Sequence, residues 1–544
     1  MKKPRLFRIL ISLLVFIVFF AALLLISSWY LNDYSRVKIE KAFAEQTDEE
    51  YKLSIASLKL NILRRQIIFS DVAVQPDKLK AGEPSYEGIA KELSFDGLHV
   101  FKYLMGRGAE VNEILILEPE VTMISGNIND GEDNVDSTEF SLYEVIKEFA
   151  KSIKVNRLYV ENFEFNHFNE HNDSIPSLFS KRNNFLVVNL KIDKETQKLP
   201  GMFAADTIAL SMYNFSYTSS DSLYTYDVGK MKVVYTDSVL VLDSVKMIPN
   251  FNKKWFGDVA GKQTDRFDIF AKQLLFEKVD LRHFFEYHGF KSKLLSIRSL
   301  DFRAFRDKND ERIDFEPPSV QRLIITSPIY IKIDTIKVFD SQIVYEEVAP
   351  GKKTPGSIIF EDINAEMTGV TNDSSLITSD SGISFKANAT FMSEGNLNAT
   401  YFFPLNTMDM VFTCTGLISN LPMKTLNRML EPTVNISLKS GYIDSLHFKF
   451  DAGENVSNGW MRFIYNDLEI ELPEEKGENH DFKDRLLVFL ANNIILKSSN
   501  PSGNKPVRVV PIQYERNKQR FMFNYTWKTL YSGIRETVGI PNIN

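Results

Sequence analysis

The stretch Leu446-His447-Phe448-Lys449-Phe450 sets three apolar side chains against two polar ones in strict alternation. Successive side chains of a β-strand point to opposite faces, so this pattern reads as a strand with one face on an apolar layer and the other in water. Phe163-Glu164-Phe165 and Phe521-Met522-Phe523 read as strands on the same logic. An antiparallel sheet with one solvated face meets that requirement.

Outward from Leu446 the style repeats along the chain. Short apolar runs recur at Leu53–Leu60, Gln66–Val74, Lys230–Val234, Val239–Val245, Leu323–Val338, Ile343–Tyr345, Ile383–Thr390, Asn396–Phe403, Tyr442–Phe450, Trp460–Leu472 and Arg520–Tyr525. The breaks between them are rich in Asn, Asp, Gly and Ser, the residues of turns. The chain holds 42 Phe and 21 Tyr, side chains that favour strands and cover large apolar areas. A few short helices interrupt the pattern. A polar one is expected at Asp33–Gln46 and others at Ser141–Ser152, Leu421–Leu430 with Pro422 in its first turn, and Asp484–Ala491. Asp280 is placed to cap another, which buries Leu281, Phe284 and Phe285 and ends at Gly289. Thr526–Val538 is amphipathic, with Trp527, Leu530, Tyr531, Ile534 and Val538 on one stripe.

A degenerate repeat joins an apolar strand, a short helix and a second strand. Phe95–Leu104 is followed by Val111–Ile116, Phe276–Phe285 by Ile297–Phe302, and the helix at Ser141–Ser152 by Val155–Val160. The spacing is irregular, which excludes a strict solenoid and points to one supersecondary unit reused along an extended sheet. The same alternation also builds a sandwich with a closed core, so both architectures stand on these residues alone.

With 544 residues the chain is too long for one compact core. Hydrophobic residues at 44% and charged residues at 25% are those of folded protein. A net charge of -7 leaves no basic footprint for nucleic acid. The single cysteine, Cys414, excludes an intrachain disulfide framework and reads as a small apolar filler in a strand.

Ile9 to Ser28 is an uncharged apolar run, long enough as a helix to span a hydrocarbon layer of ~30 Å. Lys2, Lys3, Arg5 and Arg8 precede it, which keeps the N-terminus cytoplasmic, and Trp29 and Tyr30 follow at the position of an interfacial aromatic belt. The reading is a signal anchor over residues 9–29, with Ile9, Phe16, Phe20, Leu25 and Trp29 among its lipid-facing positions. A cleaved signal peptide is the rival; both export the remainder.

Reactive chemistry is sparse. His167 and His171 share a helical spacing but sit among strand-like phenylalanines, and His283 and His288 do not share a face. The acidic stretch Asn127–Ser137 lacks the oxygen spacing of a calcium loop and reads as a polar linker. Glu346-Glu347 and Glu474-Glu475 read as solvated charge in turns. No phosphate-cradling loop, nucleophile elbow, dinucleotide fingerprint or metal-ligand set stands out, so the expectation is no enzyme, no cofactor and no metal.

In its order of elements the chain resembles the AsmA-like family of envelope proteins. The features that carry the resemblance are the signal anchor, Tyr51–Leu60, Gln66–Val74 and Phe95–Met123, the last closing on Leu115-Ile116-Leu117-Glu118-Pro119-Glu120-Val121. In the C-terminal third they are Phe412–Gly416, Leu421–Asn427, Val434–Gly441, Gly459–Leu468 and the helix Trp527–Gly533. The resemblance implies a curved, taco-like antiparallel sheet with an apolar concave groove, anchored in the inner membrane of a Gram-negative cell and lying in the periplasm. It implies non-enzymatic handling of phospholipid on its way to the outer membrane, or outer-membrane homeostasis more broadly. The partners are then phospholipid acyl chains and the inner membrane, with an outer-membrane or periplasmic protein at the distal end as a further candidate. Groove candidates are Leu158, Val160, Phe163, Phe165, Leu446, Phe448, Phe450, Phe521 and Phe523. The corresponding organisation is a basic tail (1–8), the anchor (9–29), an N-terminal AsmA-like β unit (30–126), an acidic loop (127–137), central groove repeats (138–320), a C-terminal AsmA-like unit (321–475) and closing helices and strands (476–544). A membrane-anchored scaffold that holds another envelope protein is the alternative.

Overall fold

The computed structural model describes residues 32–47, 49–61, 63–78, 84–99, 107–125, 151–168, 178–196, 205–280, 289–310, 316–471 and 496–540, with positions 102, 105, 176 and 283. The expected anchor with Ile9, Phe16, Phe20, Leu25 and Trp29, the acidic loop at 127–137, the helix at Asp484–Ala491, Glu474-Glu475, His171 and His288 lie outside the described residues. Among the described residues no helix is long and apolar enough to cross a membrane.

The protein is mainly β, and the twenty strands among the described residues belong to one mixed sheet. Two compact units share it, Met1–Thr218 with Asp227–Leu242 and Ser219–Tyr226 with Asp243–Asn544. Helix α1 (Asn32–Gln46) opens the first unit, followed by β1 (Tyr51–Asn61), β2 (Gln66–Pro76), β3 (Ser85–Asp96), β4 (Ala109–Leu117), β5 (Glu120–Ile124), β6 (Ser152–Phe168), β7 (Leu178–Asp193) and β8 (Thr207–Thr218). Strands β9 (Tyr224–Val234) and β10 (Val239–Pro249) are divided between the two units.

The first unit is closed at its beginning. Ile39 and Phe43 of α1, four residues apart and so on one face, are buried with Tyr51, Leu53 and Ile55, alternate residues of β1. Phe69 of β2 meets Phe95 of β3 edge to face at 6.2 Å between ring centres. The core continues through Ile114 of β4 and Leu158 of β6, which are paired in register.

The second unit runs through α2 (Phe256–Ala260), β11 (Asp265–Glu277), β12 (Phe290–Asp307), α3 (Val320–Ile325), β13 (Ile331–Val348), β14 (Gly356–Thr371), β15 (Gly382–Phe391), β16 (Gly395–Pro404) and β17 (Phe412–Pro422). A 3-10 turn (Met423–Leu426) leads into α4 (Asn427–Val434), and β18 (Ser437–Ala452), β19 (Val456–Glu471), β20 (Val509–Glu515) and α5 (Met522–Val538) complete it. From β13 to β20 each strand pairs antiparallel with the next.

Several sequence expectations need correction. The sheet is not purely antiparallel: β4 and β5 both pair parallel to β6, and β12 pairs parallel to β13. A parallel neighbour needs a crossover connection, and residues 125–151 before β6 and 308–330 before β13 are long enough for one. The strand expected at Leu323–Val338 begins instead at Ile331, because Ser319 caps α3 by accepting a hydrogen bond from the Arg322 N–H at 3.0 Å. Arg520–Tyr525 is not a strand. Phe521 is the extended N-cap of α5, whose Tyr525 and Thr529, four apart, are both buried. The helix expected at Thr526–Val538 thus starts four residues earlier. Leu421 and Pro422 still belong to β17 and the helical turns follow them. Ser152 opens β6 rather than ending a helix. Glu346 and Glu347 lie within β13, paired with Ser357 and Gly356.

Inside many strands one residue has a left-handed backbone. Asp71, Asn162, Asn214, Asp340, Asp362 and Asn420 have φ between 49° and 57°. The ladder skips there, as between Val338 and Ser341 or between Val160 and Phe163. At Asn162, Asn214, Asp340 and Asp362 the register also shifts, as in a β-bulge that bends its strand and increases the local twist, and Asn and Asp tolerate that conformation best among side chains with a Cβ.

The bend has a measurable result in the second unit. Strands β13 and β19 are six steps apart, about 29 Å in a flat sheet at roughly 4.8 Å per step. Helix α5 packs on β19 and β20, yet its Phe523 ring lies 6.2 Å from that of Tyr345 on β13. The sheet of this unit is therefore rolled towards the face that carries α5.

Small side chains set how close α5 comes. Thr529 Oγ1 lies 2.6 Å from Ser457 Oγ, the Tyr525 hydroxyl donates to the Gly453 carbonyl at 2.9 Å, and Gly533 rests on Ile512 and Met461 with no room for a Cβ. We expect Gly533→Leu to destabilise the protein by about 1–3 kcal/mol through overpacking. A urea midpoint unchanged from wild type would show that α5 is not held against the sheet in this way.

Candidate functional site

Directly paired residues of neighbouring strands point to the same side, so the ladder defines the faces. On the α5 side of the second unit one row runs Leu274, Ile297, Val338, Ala365, Ala387, Ala399, Gly416, Phe448, Met461 and Val510 from β11 to β20. A parallel row runs Phe360, Phe391 and Gly395 from β14 to β16. The opposite side carries Lys386, Asn388, Asn398, Thr415, Lys449 and Arg462, all exposed.

Exposure divides the apolar face in two. Beneath α5 it is closed: Leu446, Phe448 and Phe450 of β18 and Met461, Phe463 and Tyr465 of β19 are buried. On β13 to β16 the same face is half-buried at Ile336, Val338, Phe360, Met367, Phe385, Ala387, Ala389, Leu397 and Ala399. Those are interior strands with neighbours on both edges, so their residual exposure comes from the face itself.

The groove candidates fall in three places. Leu446, Phe448 and Phe450 lie on the apolar face but in its closed part. Leu158 of β6 belongs to the buried core of the first unit, while Val160, Phe163 and Phe165 continue along the same strand half-buried. Phe521 and Phe523 sit at the start of α5 and are 44% and 48% exposed. The half-buried row on β13 to β16 went unnamed at the sequence level. Its signal was present in Phe385-Lys386-Ala387-Asn388-Ala389 and Leu397-Asn398-Ala399, where small apolar residues alternate with polar ones.

A charged cluster bounds the apolar face near the start of α5. Arg306 of β12 donates two hydrogen bonds to Asp265 of β11, both at 2.6 Å, and the two side chains are 15% and 16% exposed. One register step along, Glu347 of β13 accepts from Lys308 Nζ at 2.5 Å and from the Tyr345 hydroxyl at 2.7 Å. Burial and the Glu347 carboxylate push the Tyr345 phenol far above its ordinary range, so it remains a donor. Phe521 lies under the Arg306 guanidinium at 5.8 Å. Lys528 of α5 is held below the usual ammonium range by burial and then by the nearby charge of Lys308.

A second ionic knot holds the crossover that leads to β13. Arg516, its side chain 2% exposed, donates to Glu454 at 2.8 Å and to Glu316 at 3.2 Å. Ser319 donates to the Met408 carbonyl at 2.7 Å and Gln321 to the Val411 carbonyl at 2.5 Å. These bonds fix the segment Glu316–Ile325 across the turns that join β16 to β17 and β18 to β19.

Nucleophile and metal chemistry find little support in the geometry. Burial pushes the Cys414 thiol up to about 12, so it stays protonated. His167 lies 2.9 Å from Ser125 Oγ and burial lowers its pKa. The His283 N–H donates to Asp280 Oδ1 at 3.0 Å, the expected cap. Among the described residues no three His, Cys, Asp or Glu side chains come together as a metal set. Neither a protein-family model nor a curated protein matches this chain.

Glu454 supplies a pH dependence. Burial raises its pKa, but the Met410 N–H, Arg516 and Lys518 outweigh burial, and the net shift is downward. A carboxyl depressed by folding contributes stability above its unfolded pKa and loses it as pH falls through the folded value. Glu454→Gln should therefore cost about 1–3 kcal/mol at pH 7, with the gap to wild type closing below the carboxylate range. Urea midpoints at pH 7 and pH 3 check this; a gap of equal size at both would remove the ionic explanation.

Proposed function

We propose that the protein is a non-enzymatic envelope protein, anchored by residues 9–29, whose exported β-sheet binds the acyl chains of phospholipid on an apolar groove and serves their movement between the inner and outer membranes. The observation that carries this reading is the half-buried apolar face of β13 to β16, bordered on one side by the closed layer under α5. Each methylene laid on such a surface gains about 0.8 kcal/mol, so ten of them offset the ordering of a flexible chain. The polar opposite face and the charged cluster near α5 leave water and headgroup on the outside. The AsmA-like order of elements in the sequence supports the same reading, including inner-membrane anchoring and a periplasmic location.

The test is photocrosslinking in intact cells with p-benzoylphenylalanine placed at Leu397 on the apolar face or at Asn398 on the opposite one. Phospholipid should be captured from position 397 at least tenfold more than from 398, and Ala399→Glu should abolish capture while leaving the unfolding midpoint near wild type. Phe448→Asp, which buries a charge beneath α5, is expected instead to unfold the second unit. Equal capture from both faces, or capture of one protein partner without lipid, would replace the groove by a scaffold.

A further inference from the structure

We infer that the space between the second turn of α5 and the C-terminal ends of β12 and β13 is a site for the anionic headgroup of a bound lipid, with Lys528 as the counter-charge to its phosphate. The inference rests on the acyl-binding reading of the adjoining face and adds the class of headgroup to it.

Three observations converge on this place. Every acid in the cluster is already engaged: Asp265 takes both nitrogens of Arg306, and Glu347 takes Lys308 and the Tyr345 hydroxyl. Lys528 is half-buried and has no salt bridge among the described residues; its ammonium lies over the Tyr531 ring at 5.6 Å, Glu347 attracts it, and Lys308 and Arg520 repel it. The local sum of Arg306, Lys308 and Lys528 against Asp265 and Glu347 is thus one positive charge without an opposite. The Tyr531 ring and the pull of Glu347, which is itself bonded to Lys308 and Tyr345, offset only part of the desolvation of that half-buried cation.

The apolar surroundings select the kind of anion. Phe521, Phe523 and Trp527 are 44%, 48% and 43% exposed on the same end of α5. Phe523 reaches Tyr345 on the sheet, and Trp527 stacks 6.2 Å from Tyr531. Large exposed aromatics beside an ammonium that has no salt bridge among the described residues fit a molecule with an anionic head and an apolar body, as in the interfacial belts of membrane proteins. A small inorganic anion would leave the aromatic surface uncovered.

The probes are dioctanoyl phosphatidylglycerol, with net charge, dioctanoyl phosphatidylcholine, without it, and inorganic phosphate. Each is titrated into the full chain in non-ionic detergent, with Trp527 as the sole tryptophan after Trp29→Phe, Trp255→Phe and Trp460→Phe, and its fluorescence is followed. Phosphatidylglycerol should bind about tenfold more tightly than phosphatidylcholine. Lys528→Glu should erase that preference and Lys528→Arg should keep it, with thermal midpoints unchanged in both. Equal binding of the two lipids to wild type, or a preference that survives Lys528→Glu, overturns the headgroup site and leaves the groove standing. Phosphate binding as tightly as the anionic lipid overturns the lipid source. Failure of both lipids to bind overturns the groove reading itself.

Discussion

The left-handed residues inside the strands are the constraint on which the second unit depends. A long sheet with one apolar face must hide that face, and a flat one has nothing to hide it with. A bulge inserts one residue, bends its strand and raises its twist. Repeated at Asp340, Asp362 and Asp467, where the register shifts, it rolls the ladder from β13 to β19 until α5 on one limb meets Tyr345 on the other. Without that curvature α5 would cover β19 and β20 alone, and the cluster around Glu347 would face open water.

Closure is graded because α5 is short and its contact layer is thin. Its buried side is Tyr525, Thr526, Thr529, Leu530, Gly533, Thr537 and Val538, and the small residues among them bring the helix backbone close to β19 and β20. Close approach seals Phe448, Phe450 and Met461, while Phe385, Ala387, Leu397 and Ala399 on β15 and β16 stay half-buried. Three other large side chains of the helix, Phe523, Trp527 and Tyr531, are not among its buried residues. A helix with Leu at positions 529 and 533 would stand further off and cover more sheet less well.

The alternating strands and the helix at the C-terminal end were legible because their signals are local. Leu446–Phe450 falls in β18 with the facing its pattern demands, and the periodicity from Thr526 to Val538 is helical in both sequence and structure. What escaped was whatever depends on partners far along the chain. The parallel pairing of β12 with β13 is decided by a crossover, which leaves no periodic trace. Asp340 and Asn420 look like strand breakers in sequence, yet they lie within strands, where the backbone uses their tolerance of positive φ. Glu346-Glu347 looked solvated because the pairing of Glu347 with Lys308 spans 39 residues. The amphipathic stripe drawn from Trp527 to Val538 is right at Leu530 and Val538, which are buried, but Trp527 is exposed, and the packed side also holds Thr526, Thr529, Gly533 and Thr537, which no hydrophobic scale marks.

The charged cluster is not accounted for by stability. A buried ion pair gains little over an apolar pair of the same volume, because desolvation consumes most of the attraction. Arg306 and Asp265 are both more than four-fifths buried and paired in register across β11 and β12, at positions where the row otherwise carries Phe267, Ala304 and Phe302. Apolar residues there would have extended the face to the strand ends at no loss. Placing Arg306, Asp265, Lys308 and Glu347 at that end stops the face abruptly and opposes an apolar floor to a charged border. A surface with that division matches an amphiphile in both of its parts, which a closed core has no reason to do.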